Sequence, residues 1–192
     1  MDEALERYLD NGIKNISNDT MDVLMDNQKE QDLAFSFIKN SMVAKDLRKK
    51  HSDNGEHIPP FIICSITQLC NLNCQGCYEA VNAEVRNSDE DIMSAEKWDE
   101  IFCEAEALGI MFTLLAGGEP LLRKDVINIA ASHKKLIFPI FTNGILINND
   151  MLCFFDKNRN TIPIISIEGG QKTTDARRGC GVYDTLKDVM IP

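Results

Sequence analysis

From Phe61 onward the chain repeats one pattern: a short apolar run, a polar or glycine-bearing loop, then an amphipathic helical stretch. The apolar runs are Phe61 to Ile66, Met111 to Leu115, Leu136 to Phe141 and Ile162 to Ile167. Such short, uniformly apolar runs suit buried strands, and helices between consecutive strands lead to parallel pairing. The expected fold class is therefore α/β with a parallel sheet. Pro139 weakens the third run, because proline cannot donate to a sheet ladder and belongs at an edge. The helices carry readable ends. Ser94 can cap one that runs to about Leu108, with Trp98, Ile101, Phe102, Ala105 and Leu108 on one side and Gly109 as its stop. A second begins near Leu122 and includes Asp125 to Ser132, Asn148 caps a third ending at Asn158, and Tyr183 to Met190 starts another.

The residues able to do chemistry follow the strands, at the carboxyl edge where α/β sheets place their sites. Cys70, Cys74 and Cys77 lie in C-N-L-N-C-Q-G-C-Y after the first strand. Three soft ligands with no fourth at matching spacing suit a centre with an open position. Spacing alone leaves an iron–sulfur centre with an open iron, a zinc site and unligated thiols as alternatives; His51, His57 and His133 fit no zinc spacing. After the second strand come Gly117, Gly118, Glu119 and Pro120, either a strand-to-helix turn or a place where backbone carbonyls approach a cationic amino group. After the third, Asn143 stands in a Thr-Asn-Gly turn and is a candidate hydrogen-bonding group. After the fourth, Ser166 and Glu168 are either polar strand-end residues or a ribose-binding pair. Asp175, Arg177 and Arg178 form a surface ion pair or present a guanidinium to a carboxylate.

Composition narrows the classes. Twenty basic against thirty acidic residues give a net charge of −10, so no basic stripe exists for nucleic acid. The run Arg48, Lys49, Lys50 reads as the solvated end of a helix. No eighteen-residue apolar stretch predicts a membrane span, and the absence of a signal region makes the cytoplasm the expected location. Cys64, Cys103, Cys153 and Cys180 are scattered; Cys103 and Cys153 fall in helical patterns and are expected as small buried hydrophobes. Residues 1–60 read as a helical extension and linker preceding a domain over 61–192. In it, Asp2 to Leu9 suggests a helix, Asn11-Gly12 a turn, Gln31 to Lys50 a helix with Leu33, Phe37, Val43 and Leu47 as core contacts, and Ser52 to Pro60 a linker.

With these motifs the chain resembles the radical S-adenosylmethionine (radical SAM) superfamily, whose hallmark is this cysteine loop after the first strand of a partial (β/α) barrel. Gly76 stands where an aromatic residue usually precedes the third cysteine, and Tyr78 follows it instead. That variant is similar to the subgroup with an extra-cluster (SPASM-like) C-terminal domain, which includes peptide-modifying and cofactor-maturing enzymes. The resemblance implies that Cys70, Cys74 and Cys77 hold a [4Fe-4S] cluster whose unique iron binds S-adenosylmethionine. One electron from a low-potential donor would then yield methionine and a 5′-deoxyadenosyl radical, which takes hydrogen from a peptide or small-molecule precursor under anaerobic conditions. It also implies Gly117, Gly118 and Glu119 at the methionine amino group, Ser166 and Glu168 in the place of a Ser-x-Asp-Gly run, and Asp175, Arg178 and Gly179 in an Asp-x-x-Arg-Gly run with Arg178 meeting the carboxylate. Four strands cannot close a barrel, so the expectation is a barrel truncated after about four strands. The competing expectations are a zinc-stabilised α/β binding domain and a catalytically inactive cluster-binding fragment.

Overall fold

A computed structural model describes residues 27–79 and 92–190; Asp2 to Leu9 and the Asn11-Gly12 turn lie outside the described residues. The elements are α1 (Gln28–Asp53), β1 (Phe61–Thr67), α2 (Ala95–Leu108), β2 (Phe112–Gly117), a 3-10 turn (Pro120–Leu122), α3 (Lys124–Ser132), β3 (Phe138–Thr142), α4 (Asn149–Lys157), β4 (Thr161–Ile165), α5 (Gln171–Arg178) and α6 (Val182–Met190). The chain divides into two compact units, Met1–Asn40 and Ser41–Pro192. Of the first, the described residues form the opening turns of α1, with Leu33 and Phe37 half-buried.

In the second unit β1 to β4 form one parallel sheet in chain order. Trp98, Phe102 and Ala105 on α2, Val126, Ile127 and Ala130 on α3, and Met151 and Phe155 on α4 pack with Cys64, Ile66, Leu115, Phe138 and Ile140 into one core. The strands are apolar on both faces, as the sequence predicts, but the described elements cover only one. Phe61, Ile63, Phe141, Ile162 and Ile164 are exposed on the strands. Alternation decides which: Cys64 and Ile66 face the helices while Ile63 and Ser65 face away.

Pro139 lies in an interior strand, contrary to its expected edge position. Ile137 exchanges bonds with β2, its N–H to Met111 and its carbonyl from the Thr113 N–H, both at 2.9 Å. Two residues on, Pro139 points its nitrogen the same way and has no proton to give. The β2–β3 ladder accordingly thins to a Phe112–Ile137 bridge and a Leu115–Ile140 pair, while β3–β4 pairs continuously from Phe138–Thr161 to Thr142–Ile165.

The helix ends follow their caps. The Ser94 hydroxyl accepts from the Lys97 N–H at 3.3 Å, and Asn148 accepts from the Met151 N–H at 3.0 Å. Gly109 ends α2 with φ of 81°, and a Cβ there would stand 2.5 Å from the Ala44 carbonyl oxygen of α1. Arg48 donates to the Gly109 carbonyl, so this member of the basic run caps α2 rather than standing in solvent. Ser94→Ala is expected to cost about 1 kcal/mol of folding stability, measured by urea denaturation, because it leaves the Lys97 N–H without its partner.

Further expectations are corrected. Cys103 and Cys153 are exposed, because Phe102 and the Met151–Phe155 pair take the inward faces of their helices. Val43 is exposed while its neighbour Ala44 is buried. Helix α5 has no counterpart in the sequence reading: Ala176 is its one apolar residue, it buries only Thr174, and its N-cap Gly170 makes no side-chain cap.

Candidate functional site

The cysteine loop leaves β1 and is held against the end of β2 by main-chain bonds. The Gly118 N–H donates to the Thr67 carbonyl at 2.8 Å and the Glu119 N–H to the Leu69 carbonyl at 2.7 Å. A Cβ on Gly117, whose φ is 140°, would lie 2.1 Å from the Thr67 oxygen, and one on Gly118 would lie 2.2 Å from the Leu69 oxygen. The room these glycines leave is therefore taken by the cysteine loop itself. Within the loop, the Cys77 N–H meets the Cys74 carbonyl at 3.2 Å across a turn whose Gly76 has φ of 69°. That left-handed position accounts for glycine where an aromatic residue is usual. The Gln75 N–H also donates to the Arg177 carbonyl at 2.7 Å, tying the loop to α5.

Glu119 is fully buried. Its Oε1 accepts from the Leu121 N–H at 3.0 Å and the Thr142 hydroxyl at 2.7 Å, and its Oε2 accepts from the Asn143 N–H at 2.7 Å. Both oxygens serve the fold, joining the end of β2 to the end of β3. Asn143 in turn donates through Nδ2 to Asn71 Oδ1 at 2.8 Å and towards Cys70 Sγ at 3.8 Å. The Glu119 carboxylate thus reaches the cysteine loop indirectly, through Asn143.

At the end of β4 the Ser166 N–H donates to the Thr142 carbonyl at 3.0 Å, extending the ladder by one step. Glu168 meets Arg178 Nη2 at 2.6 Å and Arg177 Nη1 at 3.3 Å. The hydrogen bond from Arg178 holds the Glu168 carboxyl below its usual range. Asp175 does not pair with the arginines; it accepts from the Gly181 N–H at 3.2 Å and the Tyr183 N–H at 2.9 Å, building the corner into α6. The sequence reading supplied the acid and the base but not this pairing, because the bond runs between a strand end and a helix that polarity concealed.

The donor set fits an iron–sulfur cluster. Cys70, Cys74 and Cys77 are free thiols, the first exposed and the others half-buried. Burial raises the Cys74 pKa, Arg178 counters it, and Cys70 and Cys77 push it further up. A cationic metal core relieves that crowding of thiolates. Cys64 offers no competing ligand, since burial pushes its thiol up to about 11. His51 is bonded to Glu56, and His133 to Asp99 and Glu106, so both are engaged elsewhere. Arg178 Nε is buried with no partner, a donor left for an acceptor such as a ligand carboxylate.

Residues 64–190 match the Radical SAM superfamily. The Fe-coproporphyrin III synthase of Methanosarcina barkeri is 31% identical over 129 residues, covering 65% of this chain and 31% of that protein. A PqqA peptide cyclase of Rhizobium meliloti is 32% identical over 91 residues, covering 46% of this chain and 24% of that one. The chain spans under a third of the length of these curated relatives. Among solved structures, Streptococcus suis SuiB bound to S-adenosylmethionine aligns with TM-score 0.58 at 20% identity, over 77% of this chain and 33% of that one. Native anSMEcpe with bound AdoMet aligns with TM-score 0.55 at 22% identity, over 68% and 40%. At these identities the structural likeness establishes the fold, a partial (β/α) barrel. The sequence match takes in the cysteine loop and all three later strand ends, and the chain belongs to the radical SAM superfamily.

Proposed function

We propose that the chain is part of an enzyme that holds a [4Fe-4S] cluster through Cys70, Cys74 and Cys77 and S-adenosylmethionine beside it. One observation carries the reading. Three free thiols, Asn143 and a Glu168–Arg178 pair with an unpartnered buried Nε gather at one strand edge. When bound, the cluster and S-adenosylmethionine supply, with an electron from a low-potential donor, a carbon radical able to abstract hydrogen.

The chain's own residues supply ligation and orientation. Gly117 and Gly118 let the cysteine loop lie on the end of β2, and Glu119 fixes Asn143 against it. Arg178 offers its Nε to the ligand's carboxylate. Glu168 serves the ribose hydroxyls once a ligand carboxylate takes over Arg178; the methylene it has beyond aspartate gives it the reach to pair with Arg178 meanwhile. A peptide substrate is supported by the PqqA peptide cyclase relatives and by the fold shared with SuiB bound to precursor peptide SuiA. The Fe-coproporphyrin III synthase relative supports a small-molecule precursor. Among the described residues no helix is long and apolar enough to cross a membrane.

The test is anaerobic reconstitution, metal and sulfide analysis, then addition of S-adenosylmethionine and a low-potential reductant. Iron and sulfide matching one [4Fe-4S] cluster, with 5′-deoxyadenosine formed, is the expected result. Zinc without sulfide would sink the reading. Arg178→Ala is expected to weaken S-adenosylmethionine binding roughly 10- to 100-fold in an equilibrium titration, the worth of one charged hydrogen bond, while leaving the cluster content unchanged. Equal affinity would return Arg178 to a surface ion pair.

A further inference from the structure

The geometry points to a second metal site, for one zinc-class divalent cation, on the outer helical layer between α2 and α3. Among the described residues, Asp99, Cys103 and His133 bring one ligand atom each within 4.8 Å of one another. Asp99 and Cys103 are four residues apart on α2 and so share a face. His133 caps the end of α3, just before the chain enters β3. That is the amino edge of the parallel sheet, opposite the edge that carries the cysteine loop.

The imidazole is set in place before any ion arrives. His133 is 8% exposed, and its ring meets Phe102 edge-on at 5.6 Å. Nδ1 lies 3.2 Å from Glu106 Oε1, and the other Glu106 oxygen pairs with Lys135 Nζ at 3.0 Å. With its proton on Nδ1 and donated to Glu106, the ring takes the arrangement that supports a metal-bound histidine from behind. Nε2 then faces Asp99 Oδ1, 2.8 Å away. That is a hydrogen-bond distance, held by a proton when no ion is bound; an ion would displace the proton and take Nε2 and Oδ1 as ligands. The proton alone gives no role to the thiol of Cys103, which belongs to the same group. Nitrogen, oxygen and sulfur ligands together are a zinc-type set, and three protein ligands leave a position for water. The bound ion staples α2 to α3. It depends on nothing assigned to the cysteine loop.

The experiment uses the untagged chain carrying Cys70→Ala, Cys74→Ala and Cys77→Ala, so that loop thiols cannot contribute, titrated anaerobically with Co2+. One equivalent should bind with a near-ultraviolet thiolate-to-cobalt band. The band should vanish in the further variant Cys103→Ser, an exposed position whose replacement spares the core, and Zn2+ should displace it. If the triple background does not fold, zinc is counted in the otherwise unsubstituted chain, which should hold one more ion per chain than Cys103→Ser. No thiolate band, a band that survives Cys103→Ser, or equal zinc counts would overturn the site and leave His133 hydrogen-bonded between Asp99 and Glu106.

Discussion

Cys74→Ala is expected to reduce 5′-deoxyadenosine formation to the level of a cluster-free blank, with iron and sulfide lost in parallel. Cys74 is the informative choice among the three. It is half-buried, and it is the loop thiol on which Arg178, Cys70 and Cys77 all act. Burial disfavours its thiolate until a metal is bound, so removing it relieves crowding instead of emptying a packed core. Folding should therefore survive, and the loss of cleavage will report lost ligation. Cys153→Ser is the control, because that thiol is exposed on α4 and should change neither cluster content nor cleavage. Unchanged cleavage with an intact cluster in Cys74→Ala would remove Cys74 from the ligand set.

The second large effect is expected at Glu119. Replacing it by alanine leaves the Leu121 N–H, the Thr142 hydroxyl and the Asn143 N–H without their acceptor in a fully buried place. The expected cost is about 3–5 kcal/mol, set by several stranded donors rather than by lost packing. Glu119→Gln keeps the volume but sets an amide N–H2 against at least one of those donors, for about 1–3 kcal/mol. Urea denaturation measures both. Glu119→Gln should also lower cluster occupancy under conditions where the protein remains folded, because Asn143 loses its anchor beside Cys70. A Gln variant as stable as the parent, with full occupancy, would mean that this buried carboxylate positions nothing.

The contrast between Glu119 and the cysteines shows what a one-dimensional reading can reach. Spacing alone brought the three thiols together, because a loop of eight residues cannot scatter them. The strand ends were legible for a similar reason: apolar runs and glycine-bearing loops alternate, and parallel topology then gathers the loops at one edge. Glu119 was visible as a turn acid, but its direction was not. Only the Asn143 N–H and the Thr142 hydroxyl, brought in by β3, draw it inward. Gly117 and Gly118 likewise leave room for neighbouring backbone, which no local pattern reveals. Helix α5 lacked an apolar stripe, so the partner that Arg178 finds in Glu168 stayed out of sight. Pro139 misled for the opposite reason: its local rule is sound, and the sheet accommodates it by giving up one bond between β2 and β3.

The central claim is that a cluster held by Cys70, Cys74 and Cys77 binds S-adenosylmethionine next to Arg178 and Glu168. Electron paramagnetic resonance of the anaerobically reduced protein, recorded before and after addition of S-adenosylmethionine, tests it most directly. The account predicts a [4Fe-4S] signal that shifts on addition, with Arg178→Ala needing a higher concentration for the same shift. A cluster signal unmoved by saturating S-adenosylmethionine, or no cluster signal at all, would contradict it.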